Sequence, residues 1–402
     1  MSRLYSSTDY YLIGLGYSGQ MIDAQAIKEC VRTHRVFSGG DRHQMIVKSF
    51  LPKHHTWISI KGNMEDVIRA YDQNDGPIVI FTTGDPYFYG FGNTLKKLRP
   101  MAKVKVFPYF NCLQLLSHRA QLNYSEIYPA SLHGRPWDKL DEALLSGRKL
   151  IGVLTDQKKT PSTTARHLLD YGFKEYRMII GDELGGDQEN VVDLSLEEAS
   201  GYRCSKLNCL ILQRSESPKQ IHFGIPDNLF ITLAGRPGMI TKRAIRVVSI
   251  SLLELSAANV FWDVGSCSGS IAIEAKRLFP HLSVIAIEKR PECENIIRVN
   301  AKNLKTPGIK VEIGDVFEMG MNTLPKPDTV FIGGHGGKLE ELLYLINGFL
   351  ESCGRIVMNT VKEESEMGFQ KICKQMGYST LSPTSITVDL YNPIKILGAT
   401  KQ

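Results

Sequence analysis

At 402 residues the chain is long enough for two cores, and with 43% hydrophobic and 22% charged residues it has the composition of a folded protein, which excludes wholesale disorder. A formal charge of +6 is a mild bias toward anionic partners, far short of the dense basic runs of a nucleic-acid arm. Apolar stretches such as 149–154 and 284–287 are much shorter than the roughly 20 residues that span a bilayer, and no apolar signal core precedes Tyr11.

Strand and helix patterns alternate in two series. The first opens with a strand at Tyr10–Gly16, a helix from about Asp23 and a strand at His34–Gly40. A helix at Met64–Tyr71, an apolar strand at Pro77–Asp85, a helix at Asn93–Leu98 and a strand at Val104–Pro108 follow. A helix at 112–122, a strand at Lys149–Thr155, a helix at 163–172 and strands at Tyr176–Ile180 and Leu207–Gln213 complete the series. The polar stretch Arg214–Asn228 has neither period and carries turn formers, so it reads as a linker. The boundary is expected near Arg214, giving domains 1–214 and 215–402.

The second series places strands at Val260–Val264, Ser283–Ile287, Lys310–Ile313, Thr329–Ile332 and Arg355–Thr360. Strands apolar on both faces and separated by helices require a parallel sheet covered on both sides, which is a doubly wound α/β fold. The last strands, at Ser385–Leu390 and Ile394–Gly398, are expected to form an antiparallel edge. The halves share no internal repeat. Eight cysteines without a CxxC pair read as reduced thiols, and no metal site is expected.

In FWDVGSCSGSIAIEA, Asp263 and Gly265 end a strand, Gly269 closes the turn and a helix follows, which brings main-chain amides close to a ligand. Glu288 ends the next strand, where a carboxylate can accept both hydroxyl protons of a ribose, and Asp315 with Val316 follows the third strand, where it can meet an adenine edge. Cys267 interrupts a GxGxG turn, so S-adenosylmethionine is the expected ligand over a dinucleotide. In the first half, TTGDPYFYG carries Gly84, Asp85, Phe88 and Tyr89 in one strand-end turn able to hold a flat ligand face. In SLHGRPW, Arg135 can bind a carboxylate and His133 can move a proton near neutral pH, against the alternative of a satisfied loop histidine.

The motifs MITKRAIR, WDVGSCSGSIAIE, GDVFE and PDTVFIGG resemble the C15-methylating, decarboxylating enzymes of cobalamin biosynthesis over nearly all of 238–402. GDPYFYG with SLHGR resembles the tetrapyrrole methylase family, specifically its C5-methylating members, over about 10–213. Their order resembles that of the fused precorrin-6Y C5,15-methyltransferase (decarboxylating) family. The resemblance implies a two-lobed α/β tetrapyrrole methylase fold followed by a Rossmann-like class I methyltransferase, with S-adenosylmethionine as methyl donor. It implies a donor site lined by Thr241, Gly265, Ser266, Cys267, Ser268, Gly269, Glu288 and Val316, and a loop, Phe331–Gly337, that faces the tetrapyrrole. Gly14, Gly16, Gly84, Asp85, Phe88 and Tyr89 are carried over in the first half. Cys267 and Ala244 stand where the family usually has glycine and an acidic residue, and GLGYSGQ lacks the usual proline and longer loop.

The implied partner is a polycarboxylate tetrapyrrole, for which Arg135, Lys242, Arg243 and Arg246 are candidate contacts. A cytoplasmic homo-oligomer acting without nucleic acid or membrane is expected. An RNA or protein methyltransferase on the same donor fold, and a tetrapyrrole-binding carrier, are the competing classes.

Overall fold

The structure is a computed structural model and describes residues 9–216, 222–388 and 392–402. Residues 217–221 of the expected linker, and the end of the strand expected at Ser385–Leu390, lie outside the described residues.

The first sheet contains β1 (Tyr10–Leu15), β2 (Val36–Gly39), β3 (Thr56–Ser59), β4 (Ile78–Thr83) and β5 (Val104–Phe107) in the order β3-β2-β4-β1-β5, with every pairing parallel. Both faces are covered: Ile13, Leu15, Val79 and Phe81 enter one core, while Leu12, Ile78 and Ile80 enter the other. From β1 the chain crosses to one side, and from β4 to the other, so the turns after these two strands meet at a switch point. The second sheet is mixed, with β6 (Ile127–Ser131), β7 (Leu150–Leu154), β8 (Tyr176–Asp182), β9 (Asn190–Ser195) and β10 (Asn208–Arg214) in the order β6-β7-β10-β8-β9.

Three of these strands, β3, β6 and β9, were not anticipated from the sequence. Each lies at a sheet edge, and β3 and β9 are exposed or half-buried along their length. An edge strand with one solvated face needs no continuous apolar run, so its period is weak.

The third sheet begins with β11 (Val260–Val264), β12 (Ser283–Glu288), β13 (Ile309–Ile313), β14 (Thr329–Ile332) and β15 (Arg355–Thr360), paired in parallel in the order β13-β12-β11-β14-β15. The order continues through β18 (Ile394–Thr400) to β16 (Ser379–Thr380), while β17 (Thr384–Ile386) also pairs with β18, all antiparallel. The doubly wound sheet with an antiparallel end is as the sequence requires. Trp262, Ile285, Val330 and Ile356 fill one face and Phe261, Val284, Phe331 and Val357 the other. Each such side chain contributes roughly 1.5–3 kcal/mol on burial.

Internal contacts divide the chain into two compact units: one of residues up to His133 with Lys149–Thr164 and Arg177–Gln213, the other of Gly134–Arg148, Ala165–Tyr176 and Arg214–Gln402. The second therefore takes in segments that precede Arg214. Within it Glu175 pairs with Lys305 at 3.0 Å, and the Lys305 ammonium lies over the Phe173 ring.

Arg246, a candidate contact for substrate carboxylates, is instead fully buried in the second unit. Its Nε donates to Glu274 Oε2 at 2.5 Å, and its Nη1 donates to Asp227 Oδ1 at 3.1 Å and to the Thr241 carbonyl at 2.6 Å. Nη2 donates to the Ile225 carbonyl, and the amides of Gly224 and Ile225 donate to Glu274 Oε1. A fully buried guanidinium with a partner on each of its three nitrogens is a tie between the 224–241 segment and the helix Ser270–Leu278, away from the surface where a ligand would meet it. Removing one partner leaves the other charge buried, so Glu274→Ala is expected to lower unfolding free energy by about 3–5 kcal/mol, measured by denaturant titration. A shift no larger than that of a surface alanine substitution would contradict the buried ion pair.

Candidate active site

After β11 the chain turns through Gly265 (φ +76°), Ser266, Cys267 (φ +51°), Ser268 and Gly269 (φ +75°) into the helix Ser270–Leu278. Glycine is required at 265, because a Cβ there would lie 2.8 Å from Gly334 N, and the two backbones pass in direct contact. Cys267 holds a left-handed conformation that costs an L-residue about 1–2 kcal/mol. In return its N–H donates to Glu288 Oε2 at 2.9 Å. Gly269 closes the turn from behind, where a Cβ would meet Ile297 at 3.0 Å.

The three acidic residues expected at the strand ends lie at this edge, each with partners of its own. Asp263 Oδ2 accepts from Ser266 Oγ at 2.6 Å and from Ala272 N at 3.1 Å. Burial pushes this carboxyl up to about 7 against those hydrogen bonds. Glu288 is buried too, which would raise it. Donation from the Arg290 guanidinium at 2.9 and 3.0 Å, with the amides of Arg290 and Cys267, outweighs burial and holds it below the ordinary carboxylate range. Arg290 was not singled out from the sequence, and its position two residues past a strand-end acid was the available signal. Asp315 pairs with Lys289 at 2.8 Å, which holds it low, and accepts the Phe317 amide at 3.1 Å.

These residues line one cleft of about 800 Å³ at the carboxyl edge of the third sheet. Its wall takes in Thr241, Asp263, Gly265, Ser266, Cys267 and Ser268, and also Glu288, Asp315 and Val316. The glycine-rich run Gly333–Gly337 closes the other side together with Lys338, Asn359 and Lys362. Gly333 N donates to Val264 O at 2.8 Å, so this loop continues the β11–β14 pairing and lies on the Gly265 turn. Lys242 lines the cleft, whereas Arg243 is exposed at the start of its helix. Of the positions expected around the donor, Gly269 alone supports the turn without forming the cleft wall.

In the first unit, the turns after β1 and β4 touch: a Cβ on Gly14 would fall 2.0 Å from Gly84 O, and one on Gly16 would meet Gln20 and Tyr109. Asp85 Oδ1 accepts Tyr87 N at 2.8 Å, so this carboxylate shapes its own turn. Phe88 packs on the core beneath the second sheet, and Tyr89 (φ +53°) donates through its hydroxyl to Pro129 O at 3.2 Å. The short loop after β1 is held by Tyr17, whose hydroxyl donates to Glu183 at 3.0 Å and whose carbonyl accepts from Arg42 at 2.6 Å. A cleft of about 980 Å³ opens beside Tyr10, Asp72 and Arg99, at the amino ends of β1 and β4 and away from these turns. His133 is exposed, with Nδ1 3.2 Å from the Thr155 carbonyl; Arg135 is also exposed and belongs to the second unit.

Residues 11–200 match the model of the tetrapyrrole (corrin/porphyrin) methylases, and residues 234–392 match that of the precorrin methyltransferase domain. A precorrin-6Y C(5,15)-methyltransferase [decarboxylating] of Sinorhizobium sp. is 30% identical over 88% of this chain and 85% of its own length. A cobalt-precorrin-6B C(15)-methyltransferase (decarboxylating) of Salmonella typhimurium is 35% identical over 39% of this chain and 84% of its own. A cobalt-precorrin-7 C(5)-methyltransferase of the same organism is 26% identical over 45% of this chain and 87% of its own.

A carboxyl that holds its proton more tightly in the folded than in the unfolded chain stabilises the fold most in acid. That contribution is lost as pH rises from the ordinary 3.8 of Asp263 through about 7. Denaturant titrations across this window are expected to show a decline in wild-type stability that is absent from Asp263→Asn. Superimposable pH–stability curves would contradict the buried state of Asp263.

Proposed function

This chain belongs to the precorrin-6Y C(5,15)-methyltransferase (decarboxylating) family, and we propose that it methylates a corrin-precursor tetrapyrrole at C5 and C15 and removes the carboxyl of the ring C acetate. Residues 1–214 act at C5 and residues 215–402 act at C15 and on the acetate. The observation that carries this reading is the cleft in which the Gly265 turn, Glu288 and the loop Gly333–Gly337 share one sheet edge.

The residues present fit S-adenosylmethionine, which when bound supplies an electrophilic methyl group. The Gly265–Ser268 part of the turn lies at the cleft wall, and the buried Ser268 Oγ on it has no hydrogen-bond partner within the protein. Glu288 accepts the ribose hydroxyls in exchange for the Arg290 guanidinium, while Val316 lies along the base. Asp263 lines the same wall. On the opposite side, Lys242, Lys338 and Lys362 meet substrate carboxylates, and the glycine loop lets a flat macrocycle approach. An electron-rich bridge carbon needs alignment and exclusion of water more than acid or base groups, which fits a cleft whose acids at the ends of β11 and β12 and after β13 are already hydrogen-bonded. In the first half, the touching turns at Gly14–Gly16 and Gly84–Tyr89 form the corresponding donor edge. His133 contacts the substrate there. The work is carried out in the cytoplasm.

Mass spectrometry of the tetrapyrrole product is expected to show two methyl gains and one carboxyl loss. Glu288→Ala is expected to weaken donor binding to the second half by about 1–3 kcal/mol, the scale of hydrogen bonds to a charged acceptor, and to leave a product lacking the C15 methyl. Gly14→Ala, which drives a methyl into the Gly84 carbonyl, is expected to leave a product lacking the C5 methyl. Radiolabel from the donor in RNA, with none in the tetrapyrrole, would sink this assignment.

A further inference from the structure

Among the described residues, five buried side-chain nitrogen or oxygen atoms have no hydrogen-bond partner, and three of them, Ser268 Oγ, His335 Nδ1 and Asn359 Nδ2, belong to residues that line the second unit's cleft. A buried polar atom left unpaired is costly, so such atoms gathered on one cavity wall mark where a ligand supplies the missing partner. Ser268 is on the donor turn. His335 and Asn359 are not: one follows β14, the other is the penultimate residue of β15, and neither belongs to the donor-side motifs.

The surroundings of His335 define what it can offer. Its Nε2 lies 3.4 Å from Ser365 Oγ on the helix Glu363–Gln375. Burial first, and then the neighbouring Lys362, hold the imidazole below the ordinary histidine range, so near neutral pH the ring is uncharged. Where Nε2 accepts from Ser365 Oγ, the ring proton is carried by Nδ1, the atom left without a partner. The loop on either side of His335 is bare, because positions 334, 336 and 337 are glycines at which an added Cβ would meet nothing within 4 Å. Lys362 lies beside this loop and Lys338 at its end, so the region attracts an anion.

Building on the functional reading above, we propose that His335, through Nδ1–H and assisted by the Asn359 amide, seats the acetate carboxylate that leaves as carbon dioxide. His335 is thus a substrate-positioning residue of the decarboxylation. The bond between the acetate methylene and its carboxylate carbon breaks, its electron pair passes into the conjugated macrocycle, carbon dioxide departs, and a proton from water completes the new methyl group. A neutral hydrogen-bond donor suits that step. It can set the breaking bond against the π system without the ion pair by which a lysine or arginine would stabilise the carboxylate that must be lost.

The test uses the full chain with the tetrapyrrole and S-adenosylmethionine, following carboxyl loss and methyl gain separately by mass spectrometry and donor affinity by calorimetry. His335→Ala is expected to slow carboxyl loss about 10- to 100-fold, with donor affinity within about twofold of wild type. In His335→Asn the amide nitrogen takes the place of Nδ1, and carboxyl loss is expected to return to within about fivefold of wild type. Undiminished carboxyl loss in His335→Ala, or His335→Asn as slow as His335→Ala, would overturn the proposal. Loss of donor binding in His335→Ala would also overturn it, by assigning the loop a structural role. Failure of the underlying reading shows itself separately, as a wild-type protein that binds the donor and leaves the tetrapyrrole unchanged, and takes the inference with it.

Discussion

The parallel pairing of β11 with β12 on one side and β14 on the other is the constraint from which the second unit's cleft follows. Parallel neighbours end at the same edge, so the turn after β11, the acid at the end of β12 and the loop after β14 are delivered to one place without any long-range search by side chains. A Cβ on Gly265 would lie 2.8 Å from Gly334 N, and one on Gly333 would lie 2.8 Å from Gly265 O, so at this crossing positions 265 and 333 carry no side chain. Cys267 shows the other side of the same constraint. Its left-handed backbone is held by the amide it gives to Glu288, so one hydrogen bond joins the turn to the neighbouring strand end.

Charge is handled at this edge by local pairing. Glu288 is held by Arg290 and Asp315 by Lys289, each partner lying close to the strand end after β12, while Asp263 has only neutral donors and so keeps its proton up to about 7. The cleft therefore has hydrogen-bonded acids on the donor side and the cations Lys338 and Lys362 on the other. Farther from the cleft, Arg246 and Glu274 form the same kind of pair, fully buried, and the Thr241 carbonyl that Arg246 holds is the link by which this core pair fixes a residue of the cleft wall.

The first unit uses the same principle at the junction of β1 and β4, with a different result. There the two turns are in contact, and their polar groups are spent on each other: Asp85 on its own turn, Tyr17 on Glu183 and Arg42, Tyr89 on the Pro129 carbonyl. A short loop after β1 has little freedom of its own, so long-range contacts from Tyr17 take the place of the length it lacks.

The strands that form the two parallel sheets were legible in the sequence because burial on both faces leaves a continuous apolar run, and the strand-end Asp263, Glu288 and Asp315 could be placed because such runs have clear ends. The edge strands β3, β6 and β9 were not, since one solvated face breaks the run. Arg246 carries the same lesson for charge: on a helix beginning Arg243-Ala244-Ile245 it looks like surface, and only a glutamate 28 positions later, brought against it by packing, makes its burial possible. Sequence alone determined most of the element types, the parallel sheet of the second unit and which acids stand at its strand ends, because these depend on period and local conformation. Tertiary structure alone decided which charges are spent inside the protein, that Gly269 supports the turn instead of lining the cleft, and that His335 presents an unpaired nitrogen, because each depends on atoms far apart in the chain.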